Sequence, residues 1–201
     1  MMRARAGHRP AATAAQQIRP GCDSSENTMN LDKVPVGSNP PDEVNGVMEV
    51  PLGSEPIKYE LDKASGALMV DRFLYTAMHY PCNYGFIPNM LSDDGDPIDV
   101  MCYGNRALTP GCIISARPIG VLMMEDEAGQ DEKILAVPSA KLTTFYDHVN
   151  DYKDMPPILL DRIAHFFEEY KALESTKWVK VVGWEGIDEA KRLILDGIGK
   201  A

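Results

Sequence analysis

The sequence predicts a mainly β, α+β domain with its helices at the C-terminal end. Three observations predict it. From Val47 onward, short apolar or alternating runs recur between Pro and Gly turn signals, the period-2 pattern of half-buried strands. Runs of this kind continue as far as Val137. Beyond it, Leu159, Ile163, Phe166, Tyr170 and Leu173 recur at i+4, i+3, i+4 and i+3, which places them on one face of a helix.

In chain order, Val47–Val50, Ile57–Leu61 and Ala67–Val70 read as three strands of a meander. They are separated by Pro51, Gly53 and Pro56 and then by the turn Asp62–Gly66. Glu49, Lys58, Glu60 and Arg72 lie in or beside these strands. One such charge is ordinarily a solvent-facing strand position; four ahead of an acidic turn point to a charged cavity lining. Tyr80–Pro88 reads as irregular and aromatic. Its tyrosines fit a core with bonded hydroxyls or a set of phosphate donors equally well. Strands are expected again at Asp99–Tyr103, Ile113–Arg117 continuing through Pro118–Met124, and Lys133–Val137. The last two form a hairpin with five carboxylates at its tip, between Glu125 and Glu132. Pro156 and Pro157 suit a helix start. Trp178–Val182 reads as a last strand, and Asp188 as the cap of a final helix from Glu189 to about Leu195. His165 lies beside the apolar helix face, as a packed or interface histidine.

Composition narrows the classes. The chain has 201 residues and a net charge of −10, and 44% of it is hydrophobic. That supports one domain with a substantial core. The acidity disfavours nucleic acid or an anionic membrane as partner, because both need a basic footprint. No apolar run approaches the roughly 20 residues of a membrane span. Cys22, Cys82, Cys102 and Cys112 show no CxxC spacing, so reduced thiols in a cytoplasmic protein are expected. Residues 1–28 carry Arg3, Arg5, Arg9 and Arg19, no acid before Asp23 and little large apolar material. They read as a disordered N-terminal extension, with an upstream start ahead of Met29 as the companion reading, and residues 29–201 as a single domain.

The chemistry concentrates at Ser92–Asp99. Asp93, Asp94, Asp96 and Asp99 put four carboxylates within seven residues, and Gly95 and Pro97 mark a turn that folds them together. Such repulsion is tolerated in full exposure to water or around a hard cation, and Mg²⁺ takes carboxylates, waters and phosphates together. An EF-hand fails: with Asp94 at position 1, Asp99 falls where Gly is needed and Asn105 where the bidentate Glu belongs. An acidic surface loop and a different metal site both remain. The second acidic loop, at Glu125–Glu132, favours a metal site shared between the two.

Several motifs together resemble the soluble (family I) inorganic pyrophosphatases of the short bacterial type. They are Pro56–Glu60, Ser65–Leu68, Val70–Arg72, Tyr80–Gly85, Asp94–Val100, Asp126–Gly129, His165–Glu168 and Lys177–Val181. The central one fits the family signature D-x-D-P-x-D, and the likeness spans roughly residues 30–195. It implies a five-stranded, OB-like β-barrel with flanking C-terminal helices. It also implies Mg²⁺-dependent hydrolysis of inorganic diphosphate to two phosphates, by in-line attack of a metal-bridging water or hydroxide. On the matching positions, Asp94, Asp99, Asp126 and Asp131 would hold several Mg²⁺ per subunit, with Glu49 acting through water. Asp96 would be the general base. Lys58, Arg72, Tyr84, Lys133, Tyr170 and Lys171 would hold phosphate oxygens, and Glu60 and Tyr80 would line the pocket. The resemblance further implies a homohexamer, a dimer of trimers. Bacterial relatives often carry a second histidine one turn after His165, where this chain has Glu169.

Three other functions compete. An OB-like module for single-stranded nucleic acid needs a basic groove with stacking aromatics, against the acidity here. A Ca²⁺-buffering protein leaves Lys58, Arg72, Lys133 and Lys171 without a role. A Mg²⁺-dependent phosphatase for another phosphoanhydride is the nearest rival, and a cavity sized for two phosphates separates them.

Overall fold

The structure is a computed structural model that describes residues 31–92 and 95–200. The expected extension over 1–28, and Asp93 and Asp94 of the acidic turn, lie outside the described residues. In chain order the elements are β1 (Val44–Val50), β2 (Ile57–Leu61), β3 (Leu68–Phe73), β4 (Asn83–Phe86), β5 (Asp99–Cys102), β6 (Ile113–Asp126), β7 (Gly129–Pro138), α1 (Pro157–Glu169), β8 (Val179–Glu185) and α2 (Ile187–Ile198).

Strands pair in the order β1-β4-β5-β7-β6, and β6 returns to pair with β1. This closes a five-stranded, OB-like barrel. The β5–β7 pairing is parallel and the other four are antiparallel. β6 is long enough to serve three partners: its first residues pair with β1, its last with β8, and its length with β7. β2 and β3 form a separate two-stranded hairpin. The expected meander is therefore corrected. β1 turns away from β2 in hydrogen bonding because β4, arriving later in the chain, takes its edge.

Period 2 organises the core. In β5 and β7, Met101, Leu135 and Val137 face one apolar cluster, and Val100, Cys102, Ile134 and Ala136 face another. The first cluster is completed by Ile163, Phe166 and Phe167 of α1, the second by Ala190 and Ile194 of α2. Both helices thus bury one face and lock the barrel from two sides. Pro157 occupies the first helical position of α1, as its missing N–H allows. The helix ends at Glu169, so Leu173, expected on the buried face, is 64% exposed.

Two further expectations change. The irregular aromatic stretch contains β4, which is wholly buried between β1 and β5. At α2 the cap position is Gly186 rather than Asp188, and Asp151 Oδ2 accepts the Ile187 N–H at 3.1 Å. Asp188 and Glu189 lie in the first turn, where negative charge suits the helix dipole. Cys82, Cys102 and Cys112 are free thiols, and burial pushes the first two well above the ordinary cysteine range. Among the described residues no helix is long and apolar enough to cross a membrane.

Candidate active site

The two acidic loops and the charged strands meet in one cavity of about 460 Å³. Asp96 and Asp99 reach it from the first acidic loop and β5. Asp126 and Asp131 come from the β6–β7 hairpin, Glu49 from β1, and Lys58, Glu60 and Arg72 from the β2–β3 hairpin. Tyr84 of β4, Lys133 of β7, and Tyr170 and Lys171 at the end of α1 complete the set. Twelve of the fourteen residues singled out in the sequence therefore line one space. Asp94 lies outside the described residues. Tyr80 does not line the cavity: it is 1% exposed and packs beneath, its ring 5.3 Å from Tyr84 and 4.7 Å from Phe166.

Local structure explains the convergence. In the β6–β7 hairpin the turn is tight, with Asp126 paired to Gly129, so acids adjacent in sequence separate by face. Glu125 turns outward to Lys180, its cross-strand partner on β8. Asp131 and Lys133, two residues apart, share a face. Lys133 is almost fully buried, and its Nζ donates to Asp99 Oδ2 at 2.6 Å, Asp131 Oδ1 at 2.9 Å and the Tyr84 hydroxyl at 3.3 Å. Tyr84 in turn donates to Asp99. Lys171 Nζ binds Asp126 Oδ2 at 2.9 Å, and Lys58 pairs with Glu60 and, at 3.4 Å, with Asp71.

The electrostatics follow from burial set against pairing. Burial pulls the Lys133 ammonium down, but Asp99 and Asp131 outweigh it and hold it above the ordinary lysine range. Lys58 and Lys171 are raised for the same reason, burial being overcome by Glu60 for one and by Tyr170 and Asp126 for the other. Burial works on Asp126 in the opposite sense, yet the Lys171 hydrogen bond keeps it low. On Glu49 the Lys58 ammonium pulls downward too weakly to offset burial. Burial, helped by the charge of Asp99, lifts Glu49 to about 7 against the pull of the Leu61 N–H, which donates to Glu49 Oε1 at 2.7 Å. Tyr84 and Tyr80 are raised well above the ordinary tyrosine value, first by burial. Tyr84 therefore stays a hydroxyl donor.

The donor set suits a hard divalent cation: Glu49, Asp99, Asp126 and Asp131 offer carboxylate oxygens, and among the described residues neither cysteine nor histidine lines the cavity. Among the described residues no three such side chains converge into a cage. Mg²⁺ needs no cage, since it keeps several waters and takes one or two carboxylates plus phosphate oxygens. Sequence reasoning missed Lys63, Asp71, Glu132 and Lys177 as lining residues. Asp71 could have been found by its place beside Arg72, and Glu132 by its place in the acidic hairpin.

Comparison with known proteins agrees with this assembly. A family model described as inorganic pyrophosphatase matches residues 46–201. The inorganic pyrophosphatase of Agrobacterium fabrum is 60% identical over 170 residues, 85% of this chain and 96% of that protein. The crystal structure of an inorganic phosphatase from Anaplasma phagocytophilum superposes with a TM-score of 0.82 at 51% identity, covering 83% of this chain and 98% of that one. The structure of an inorganic pyrophosphatase from Coxiella burnetii superposes with a TM-score of 0.81 at 46% identity, covering 83% of this chain and 99% of that one. A match over most of the chain, on a cavity that gathers the signature carboxylates and cations, means that the chain belongs to the inorganic pyrophosphatase family.

Proposed function

We propose that this protein hydrolyses inorganic pyrophosphate to two phosphates in a Mg²⁺-dependent, in-line displacement. One observation carries the reading: a single cavity sets the carboxylates Glu49, Asp99, Asp126 and Asp131 against the cations Lys58, Arg72, Lys133 and Lys171. Carboxylates alone would hold metal and repel a polyanion. Cations alone would hold the polyanion without metal. Both together suit a metal–diphosphate complex.

Bound Mg²⁺ would supply a water of lowered pKa and neutralise phosphate charge, with Asp94, Asp99, Asp126 and Asp131 as its ligands and Glu49 acting through water. Asp96, at the cavity wall, takes the proton from the attacking water. The water oxygen bonds to one phosphorus as the bond from that phosphorus to the bridging oxygen breaks opposite it. The electron pair leaves with the second phosphate. Lys58 and Arg72 on the hairpin, and Lys133 and Lys171 opposite, offset the charge that grows there. Arg72 offers a two-pronged fork, the lysines point charges. Tyr84 and Tyr170 donate hydroxyls, and Tyr170 serves the core as well: its ring stacks on Phe166 at 5.2 Å while the residue lines the cavity.

The homohexamer and a cytoplasmic location belong to the same proposal. His165 and Glu169 lie exposed on α1, where a neighbouring copy could meet them, and the free thiols suit a reducing compartment. A monomeric mass in solution would remove the hexamer.

The test is phosphate release from pyrophosphate, with Mg²⁺ and after chelation, on wild type and Asp96→Asn side by side. Release is expected to require Mg²⁺ and to fall by about 10²–10⁴ in the variant, the usual weight of a general base. Undiminished release by Asp96→Asn would take the base role from Asp96, and no release by the wild type would overturn the activity.

A further inference from the structure

The hairpin that carries Lys58 and Arg72 is not part of the barrel ladder, because β2 and β3 form their own sheet. Something else must hold this cationic wall over the cavity. At the end of β2 the tie is Glu49, which accepts the Leu61 N–H. At β3 it is Glu174, in the turn after α1. Glu174 Oε1 lies 3.6 Å from Arg72 Nε. Both atoms are sealed from water and make no hydrogen bond among the described residues, so each has the other as its ion-pair partner.

Glu174 reaches one further cation through its side chain and is tied to two cavity lysines through its backbone. Its second oxygen lies 3.8 Å from Lys177 Nζ. Its backbone N–H donates to the Lys171 carbonyl at 2.8 Å, and its carbonyl accepts the Lys177 N–H at 3.2 Å. Arg72, Lys171 and Lys177 all line the cavity, whereas Glu174 does not. It stands behind them.

We propose that Glu174 is a positioning residue that aims the Arg72 guanidinium, and with it the free-standing hairpin, at the phosphate side of the cavity. This rests on the reading of the cavity as a pyrophosphate site. A guanidinium on a long stem loses less entropy per contact when it is pre-oriented. With Nε turned to Glu174, the terminal nitrogens carry only one long ion pair, Nη1 to Asp71 Oδ2 at 3.9 Å, which a two-pronged phosphate contact would replace. The Tyr170 ring, 5.9 Å below the guanidinium, fixes its plane.

Charge alone predicts the opposite sign. Removing one carboxylate from behind three cations makes the cavity more positive, so a polyanion would bind more tightly and KM would fall. Positioning predicts that KM rises. In steady-state assays with saturating Mg²⁺, Glu174→Ala is expected to raise KM for pyrophosphate about tenfold with kcat within about threefold, the split expected when binding shared by ground and transition states is lost. Glu174→Gln, which keeps an acceptor for Nε, should recover most of that loss and remains readable if the alanine variant folds poorly. In an Arg72→Ala background, Glu174→Ala should add nothing, because the residue acts through Arg72. An unchanged or lowered KM, or the same penalty in both backgrounds, would overturn the proposal. If the wild type releases no phosphate, the function fails separately. Glu174 is then judged by calorimetric binding of pyrophosphate to the same variants, where an unchanged Kd overturns the positioning role.

Discussion

Asp99 and Lys133 stand opposite each other in the parallel pairing of β5 and β7, and Lys133 Nζ lies 2.6 Å from Asp99 Oδ2. The same ammonium reaches Asp131 at 2.9 Å. Barrel closure thus places one buried cation between two carboxylates proposed as metal ligands. Lys133 holds apart charges that would otherwise repel, and it does so where phosphate is proposed to bind.

Replacing Lys133 with Met should therefore have two separable effects. In chelator, two unbalanced carboxylates destabilise the fold by about 3 kcal/mol, the low end for breaking a buried pair because both acids keep partial access to water. Saturating Mg²⁺ should return most of that stability while KM for pyrophosphate stays raised. Denaturant unfolding with and without Mg²⁺ checks this. Equal destabilisation in both conditions would count against the carboxylates as metal ligands.

Lys58→Ala should behave differently, because its partner Glu60 is half exposed and water can take over its solvation. Unfolding should change little, whereas KM for pyrophosphate should rise about tenfold, the scale of one charge-assisted contact. A KM that does not move would remove Lys58 from the phosphate contacts.

Gly85 offers a test of the barrel itself. It sits in β4 opposite Met48 of β1, and a Cβ there would collide with the Val47 carbonyl oxygen. The obstruction is backbone, which cannot move aside as a flexible side chain would. Gly85→Ala should cost about 3 kcal/mol or more, placing it among severe single substitutions. A melting temperature close to wild type would show that β1 and β4 separate more easily than their register implies.

Much of this site was legible in the sequence because like charges stand together there. Asp96 and Asp99, and Asp126 and Asp131, marked themselves by a crowding that folding alone does not favour. Alternation revealed β2, and two apolar runs flanking an acidic tip revealed the β6–β7 hairpin. What stayed hidden depends on pairing across the chain. β4 has only four residues with no clear alternation, and its strand character comes from β1 and β5 on either side. The detachment of β2 from β1 is decided by which later strand reaches β1. Tyr80 shares a motif with Tyr84 yet lies a layer below the cavity, because side-chain depth is set by α1 packing behind it. Glu174 gave no local signal, since Arg72 reaches it from a hairpin far earlier in the chain.

Glu49 ties these levels together through pH. Its folded-state value, lifted to about 7 by burial and by Asp99, lies above the unfolded value of 4.5. Between those two values the folded protein binds more protons than the unfolded chain, so stability falls as pH rises through this window and levels off above it. The span corresponds to about 3 kcal/mol. Glu49→Gln keeps an acceptor for the Leu61 N–H and removes the titration. In chelator at pH 8 the variant should melt above wild type, and at pH 4.5 the difference should vanish. Mg²⁺ favours the ionised carboxylate, so adding it should shrink the pH 8 difference as well. Melting curves at the two pH values, each with and without Mg²⁺, check all three statements. A wild type that does not lose stability relative to Glu49→Gln between pH 4.5 and 8 would mean that Glu49 stays ionised throughout, with water or a cation already beside it.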